Sequence, residues 1–126
     1  MNFQLNVNIQ VHAMEMVHKI PCWGYSLKDD NKKLVFVTDT RKNNHTIQLA
    51  KNADVLIHES TYDNQKREKA YEHFHTTENQ AMEIADMANV KRLILTHFSP
   101  KLSDDKVKQW IWQGMPCVVF DKRQII

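Results

Sequence analysis

Glycine is almost missing from this sequence: Gly24 and Gly114 are the only two among 126 residues. Tight turns must therefore be made mainly by Asn and Asp, which tolerate turn backbone and hydrogen-bond it locally. Cysteine is equally scarce. Cys22 and Cys117 lie far apart and form no CxxC pair, which fits a reduced intracellular compartment better than a disulfide framework. No apolar run approaches the roughly 18–20 residues that a membrane span requires. The opening Met1-Asn2-Phe3-Gln4-Leu5-Asn6 alternates at once, without the charged-then-apolar shape of a signal peptide. A cytoplasmic location is the expectation. Repeats, low-complexity segments and Pro/Gly-rich linkers are also absent, so residues 1–126 read as a single domain. A formal net charge of +2 permits an anionic substrate without arguing for one.

What is present is strong patterning. Phe3, Leu5, Val7, Ile9 and Val11 alternate with polar residues and predict one half-buried strand. Met14, Met16, His18 and Ile20 continue the alternation as a second strand face. Cys22–Leu27 and Lys33–Val37 read as a hairpin around the polar tip Lys28–Lys32. The style then changes to short, continuously apolar runs, Val35–Val37, Val55–Ile57 and Leu93–Leu95, as expected of strands covered on both faces. Ile47, Leu49 and Ala50 fit a short helix. Ala81, Ile84, Ala85 and Ala88 follow helical i, i+3, i+4, i+7 spacing, begun by a capping box of Thr77 and Gln80. A helix near Ser103–Trp112 and a strand near Cys117–Phe120 close the chain. The fold class is α/β (α+β): a mixed sheet with antiparallel N-terminal strands and flanking helices.

Each continuous apolar run ends in residues capable of chemistry. Val37 leads into Thr38-Asp39-Thr40, Ile57 into His58-Glu59-Ser60-Thr61, and Leu95 into Thr96-His97-Phe98-Ser99. Sites in α/β sheets gather beyond the carboxyl ends of the strands, where loops present side chains from a rigid frame. Taken singly, each has an ordinary reading: a turn aspartate, a surface histidine, a core histidine among methionines at His18, a local ion pair at His58-Glu59. Their order along the chain carries more weight than any one of them.

That order resembles ribonuclease Z of the metallo-β-lactamase fold. Ala53-Asp54-Val55-Leu56-Ile57-His58-Glu59-Ser60-Thr61 is similar to its AD-x-LIHEAT segment, and Thr38-Asp39-Thr40-Arg41 to GDTR. His75-Thr76-Thr77 is similar to HST, Leu93–Ser99 to LILTHFS, and His18–Tyr25 to H-x-x-x-C-Y-G-Y. The resemblance implies the C-terminal half of an αββα metallo-β-lactamase sandwich. It implies a zinc-dependent phosphodiesterase, an endoribonuclease of tRNA 3′-end processing, with a tRNA precursor as RNA partner. By correspondence His18, Asp39 and His97 are expected as ligands of two zinc ions, Asp39 bridging them. His75 is expected to act catalytically beside the metals. His58 and Glu59 would orient a ligand or His75, while Thr76, Thr77 and Lys101 would bind phosphate. His12, His45 and His73 match no motif and are expected on the surface.

The sequence also departs from the pattern. The His-x-His-x-Asp-His motif that supplies most of the zinc ligands is not in these 126 residues, and neither is the tRNA-gripping arm between Tyr25 and Asp39. Where S-x-R-Y often follows, this chain has Ser99-Pro100-Lys101-Leu102; lysine keeps the charge but not arginine's bidentate fork. The chain alone is therefore expected to hold zinc weakly and to be inactive. An uncovered apolar sheet face, including Met14, Met16 and Ile20, is expected to drive self-association or pairing with a separately encoded N-terminal half. Two alternatives stand beside the leading reading: another hydrolase of this fold acting on small phosphodiesters or esters, and a non-catalytic product of a truncated or split gene.

Overall fold

The computed structural model describes residues 2–6, 8–99 and 117–119. Seven strands form one sheet in sequence order: β1 (Asn2–Asn6), β2 (Ile9–Glu15), β3 (Trp23–Lys28), β4 (Lys33–Val37), β5 (Val55–Glu59), β6 (Arg92–Thr96) and β7 (Cys117–Val119). From β1 to β4 the neighbours are antiparallel. From β4 to β7 they are parallel. Parallel neighbours need crossovers rather than tight turns. Helix α1 (Asn44–Ala50) joins β4 to β5; α2 (Arg67–Glu72) and α3 (Glu78–Met87) lie between β5 and β6.

The helices start where their side chains can satisfy the first amides. Asn43 accepts from the Thr46 amide ahead of α1. Thr77 and Gln80 form the reciprocal capping box expected ahead of α3. The stripe Ala81, Ile84, Ala85 and Ala88 is buried against the sheet. It meets Val35, Val37, Leu56, Leu93 and Leu95, each fully buried, and burial of each such side chain contributes about 1.5–3 kcal/mol. Gly24 has a packing reason: a Cβ there would lie 2.9 Å from Leu49 Cδ2 and 3.1 Å from Val37 Cγ2. The missing side chain lets α1 settle onto β3.

Two strand expectations are corrected. The predicted single strand from Phe3 to Val11 is a hairpin, broken by a turn at Asn8. Period-2 alternation reads the same on either arm of a hairpin, so periodicity alone does not reveal the turn. The second alternation also ends early. Past Glu15 the chain leaves the sheet, the Met16 amide donating to the Cys22 carbonyl across an irregular loop that carries His18.

The apolar open face of the sheet carries different residues from those expected. Met16 is in the core, Met14 packs against it, and Ile20 lies exposed on the loop. Facing away from the helices are Trp23 (41% exposed), Tyr25 (40%), Leu34 (37%) and Phe36 (41%), with Tyr25 paired to Phe36 in register. The helix expected near Ser103–Trp112 lies outside the described residues. Among those described, no helix is long and apolar enough to cross a membrane.

Candidate metal centre

Because β4, β5 and β6 run parallel, their carboxyl ends share one edge of the sheet. Asp39 follows β4, Glu59 ends β5, and His97 follows β6. The β2–β3 loop adds His18, and the residue ahead of the α3 cap adds His75. Two of these positions are held in left-handed backbone despite lacking glycine, Asp39 (φ 49°) and His97 (φ 61°), and so is Phe74 (φ 60°) beside His75. Such geometry is uncommon for a bulky residue and persists where surrounding contacts dictate it, often at functional sites. Asn52 and Asn89, also at positive φ, are residue types for which it is ordinary.

The donor atoms converge. Those of His18, Asp39 and His75 lie within 4.8 Å of one another, as do those of Glu59, His75 and His97. His97 Nε2 is 3.4 Å from Asp39 Oδ1. His75 stands between the other two imidazoles, with ring centroids 5.3 Å from His18 and 5.8 Å from His97.

Each imidazole is engaged through Nδ1. That of His18 lies 3.0 Å from the Phe74 carbonyl, which can only accept. That of His75 lies 2.9 Å from Glu59 Oε1. That of His97 lies 3.0 Å from Thr61 Oγ1, whose own proton goes to Glu59 Oε2 at 2.6 Å. The Nδ1 nitrogens therefore carry the protons, leaving Nε2 on all three for the site. Imidazole nitrogens with a carboxylate are donors suited to zinc, so the residues fit the metal that the resemblance implies.

Glu59 is the hub beneath them. It is fully buried and accepts from the Thr40 amide at 2.7 Å, the Thr76 amide at 3.1 Å, the Thr61 hydroxyl and His75. Burial on its own would raise its pKa, but the hydrogen bonds from His75 and Thr61 and the nearby imidazole charge leave it below the usual glutamate value. In return the hydrogen bond to Glu59 lifts His75 above the ordinary histidine value, against the opposing effect of burial.

Residues 1–98 match the family described as "Beta-lactamase superfamily domain". The chain belongs to the metallo-β-lactamase superfamily. Within it, the chain is 42% identical to ribonuclease Z of Acaryochloris marina over 74 residues, 59% of this chain and 24% of that protein. It is 45% identical to ribonuclease Z of Brevibacillus brevis, again over 74 residues, 59% of this chain and 23% of that one. The chain thus spans about a quarter of the length of these curated relatives. Among solved structures, the metallo-β-lactamase fold protein YhfI from Bacillus subtilis superposes with TM-score 0.84 at 18% identity, over 95% of this chain and 49% of that one. The short form of human tRNase Z superposes with TM-score 0.72 at 34% identity, over 79% of this chain and 40% of that one.

Within this metallo-β-lactamase frame the expected site residues fall into three groups. His18, Asp39, His75, Glu59 and His97 come together. His58 does not: it is fully buried on the helix-covered face, beside Val37 and Leu95 in register. Its Nδ1 is 2.7 Å from the Glu59 carbonyl and its Nε2 has no partner. Burial pushes its pKa down, favouring the neutral ring, and its hydrogen bond goes to the backbone of Glu59 rather than to a proposed ligand or to His75. Thr76 and Thr77 spend their hydroxyls within the fold. The Thr76 hydroxyl donates to the Thr40 carbonyl at 2.5 Å, and Thr77 caps α3; both are buried. Lys101 lies outside the described residues. His45 and His73 are exposed and His12 half-buried.

Sequence reasoning missed Thr61 and the Phe74 carbonyl, which set the imidazole tautomers. Thr61 had a signal, since it closes the segment that holds His58 and Glu59. A backbone carbonyl has none.

Proposed function

We propose that this chain supplies one side of a two-zinc phosphodiesterase site resembling that of ribonuclease Z, with His18, Asp39 and His97 as its metal ligands and RNA, a tRNA precursor, as substrate. Zinc held there would act as a Lewis acid towards a phosphoryl oxygen. The observation that carries the reading is the 2.9 Å contact between buried Glu59 and His75, placed beside the proposed ligands. Glu59 favours the charged form of His75 and orients it through Nδ1. As water adds to phosphorus and loses a proton to solvent, Nε2–H gives its proton to the leaving oxygen while the scissile P–O bond breaks with its electrons on that oxygen.

A second reading has its own support: β3 and β4 are joined directly by the short tip at Asp29–Lys32, with no arm to grip a tRNA. It takes a small phosphodiester as substrate. One experiment addresses both. The chain is mixed with zinc and a polypeptide carrying His-x-His-x-Asp-His, then assayed on a tRNA precursor and on bis(p-nitrophenyl) phosphate. Cleavage of both, dependent on both polypeptides, is expected. Cleavage of the aryl diester alone favours the small substrate, and the absence of any metal-dependent cleavage leaves the non-catalytic alternative.

The open face of Trp23, Tyr25, Leu34 and Phe36 supports pairing through the sheet. By itself the chain is expected to sediment as a self-associating species, which Phe36→Lys shifts towards monomer. A wild-type monomer at about 50 μM, a concentration at which pairing of this class with micromolar Kd is populated, contradicts this.

A further inference from the structure

Arg41 lies outside the set of residues expected to ligate or react, yet its packing reaches directly into the site. Its guanidinium carbon is 3.9 Å from the centroid of the Tyr71 ring and 3.9 Å from that of Phe74. Its Nε is buried with no hydrogen-bond partner. The group is held by two aromatic faces, as a planar, weakly hydrated cation can be. Its backbone is fixed as well: the Arg41 amide donates to the Val17 carbonyl at 3.2 Å, next to His18. Arg41 therefore ties the Asp39 loop to the segment between α2 and α3.

What it holds there is Phe74, whose left-handed backbone aims its carbonyl at His18 Nδ1. The end of α2 holds that backbone in part, the Phe74 amide donating to the Tyr71 carbonyl at 3.2 Å and the His75 amide to the Ala70 carbonyl at 2.7 Å, while Arg41 packs on the Phe74 ring. The Phe74 carbonyl is also the only acceptor found at His18 Nδ1 among the described residues. We infer that Arg41 is a positioning residue: stacked between Tyr71 and Phe74, it fixes the Phe74 carbonyl so that His18 carries its proton on Nδ1 and presents Nε2 to the site. This deepens the proposed function, which uses His18 through that nitrogen.

The test reads the tautomer directly, with no metal and no activity. Long-range 1H–15N correlation spectra of the chain are recorded well above the ordinary histidine pKa of about 6.5. Wild-type His18 is expected to show the Nδ1–H pattern. Arg41→Met is expected to raise the Nε2–H form about tenfold relative to it, and Arg41→Lys to restore the wild-type pattern only in part. Tyr71→Leu removes one stacking face at an exposed position, so it serves if Arg41→Met does not fold, with a smaller shift in the same direction. A folded Arg41→Met, or failing that Tyr71→Leu, with lowered Tm but an unchanged His18 tautomer would overturn the inference and leave Arg41 a purely stabilising residue. Because zinc does not enter the measurement, a tautomer shift in a chain that never supports cleavage would uphold Arg41's role while the functional reading fails.

Discussion

Glu59→Gln is expected to cost the folded chain about 3–5 kcal/mol, the range for removing one partner of a buried charged network. Glutamine keeps the shape but turns one oxygen into a donor, and every group facing Glu59 is itself a donor: the Thr40 and Thr76 amides, the Thr61 hydroxyl and His75. Domains of this kind have about 5–15 kcal/mol in all, so urea unfolding will register the change plainly. The pH dependence goes with it. The raised His75 pKa contributes stability that is present below about 6.5 and lost as pH rises through the folded value. The lowered Glu59 pKa contributes stability that is present above about 4.3 and lost as pH falls through its folded value. Their pairing therefore stabilises most between about pH 4.3 and 6.5. The wild-type-minus-Gln difference should peak in that window. A difference of under about 1 kcal/mol, flat with pH, would show that Glu59 is not the hub.

The second large effect is catalytic. In the complemented site, His75→Asn is expected to lower cleavage of an RNA phosphodiester about 10²–10⁴-fold, the usual contribution of a positioned general acid. Asparagine can still donate to Glu59 but has no transferable proton. Bis(p-nitrophenyl) phosphate, whose leaving phenolate needs no protonation, should lose far less. Equal losses on the two substrates would place His75 in binding or metal ligation instead, a role its proximity to His18 and Asp39 makes concrete.

Much of the fold was legible because its signals are local. The capping box at Thr77 and the stripe from Ala81 to Ala88 depend on residues within two turns, and both form as written. The hairpin from Trp23 to Val37 likewise follows from two apolar runs and a polar tip. The turn at Asn8 was hidden because period-2 alternation reads the same on either arm of a hairpin. That His58 faces the core was hidden for a related reason. Adjacent strand residues point to opposite faces, and nothing local distinguishes the site-facing glutamate from the core-facing histidine. Thr76 and Thr77 looked suited to phosphate until the Thr40 carbonyl and the α3 cap took their hydroxyls.

By itself the sequence determined the strands β3 to β6, the helices α1 and α3, and which polar residues stand at the strand ends. It did so because alternation, capping and turn chemistry act over a few residues. Only the tertiary structure decided that Glu59 lies beneath His75, that the Phe74 carbonyl and Thr61 set two imidazole tautomers, and that Arg41 is clamped between two rings. Those contacts join residues 16 to 56 positions apart in the chain, as His75 to Glu59 by 16 and His18 to Phe74 by 56. Their existence depends on how parallel strands and their crossovers are stacked, which no short stretch of sequence encodes.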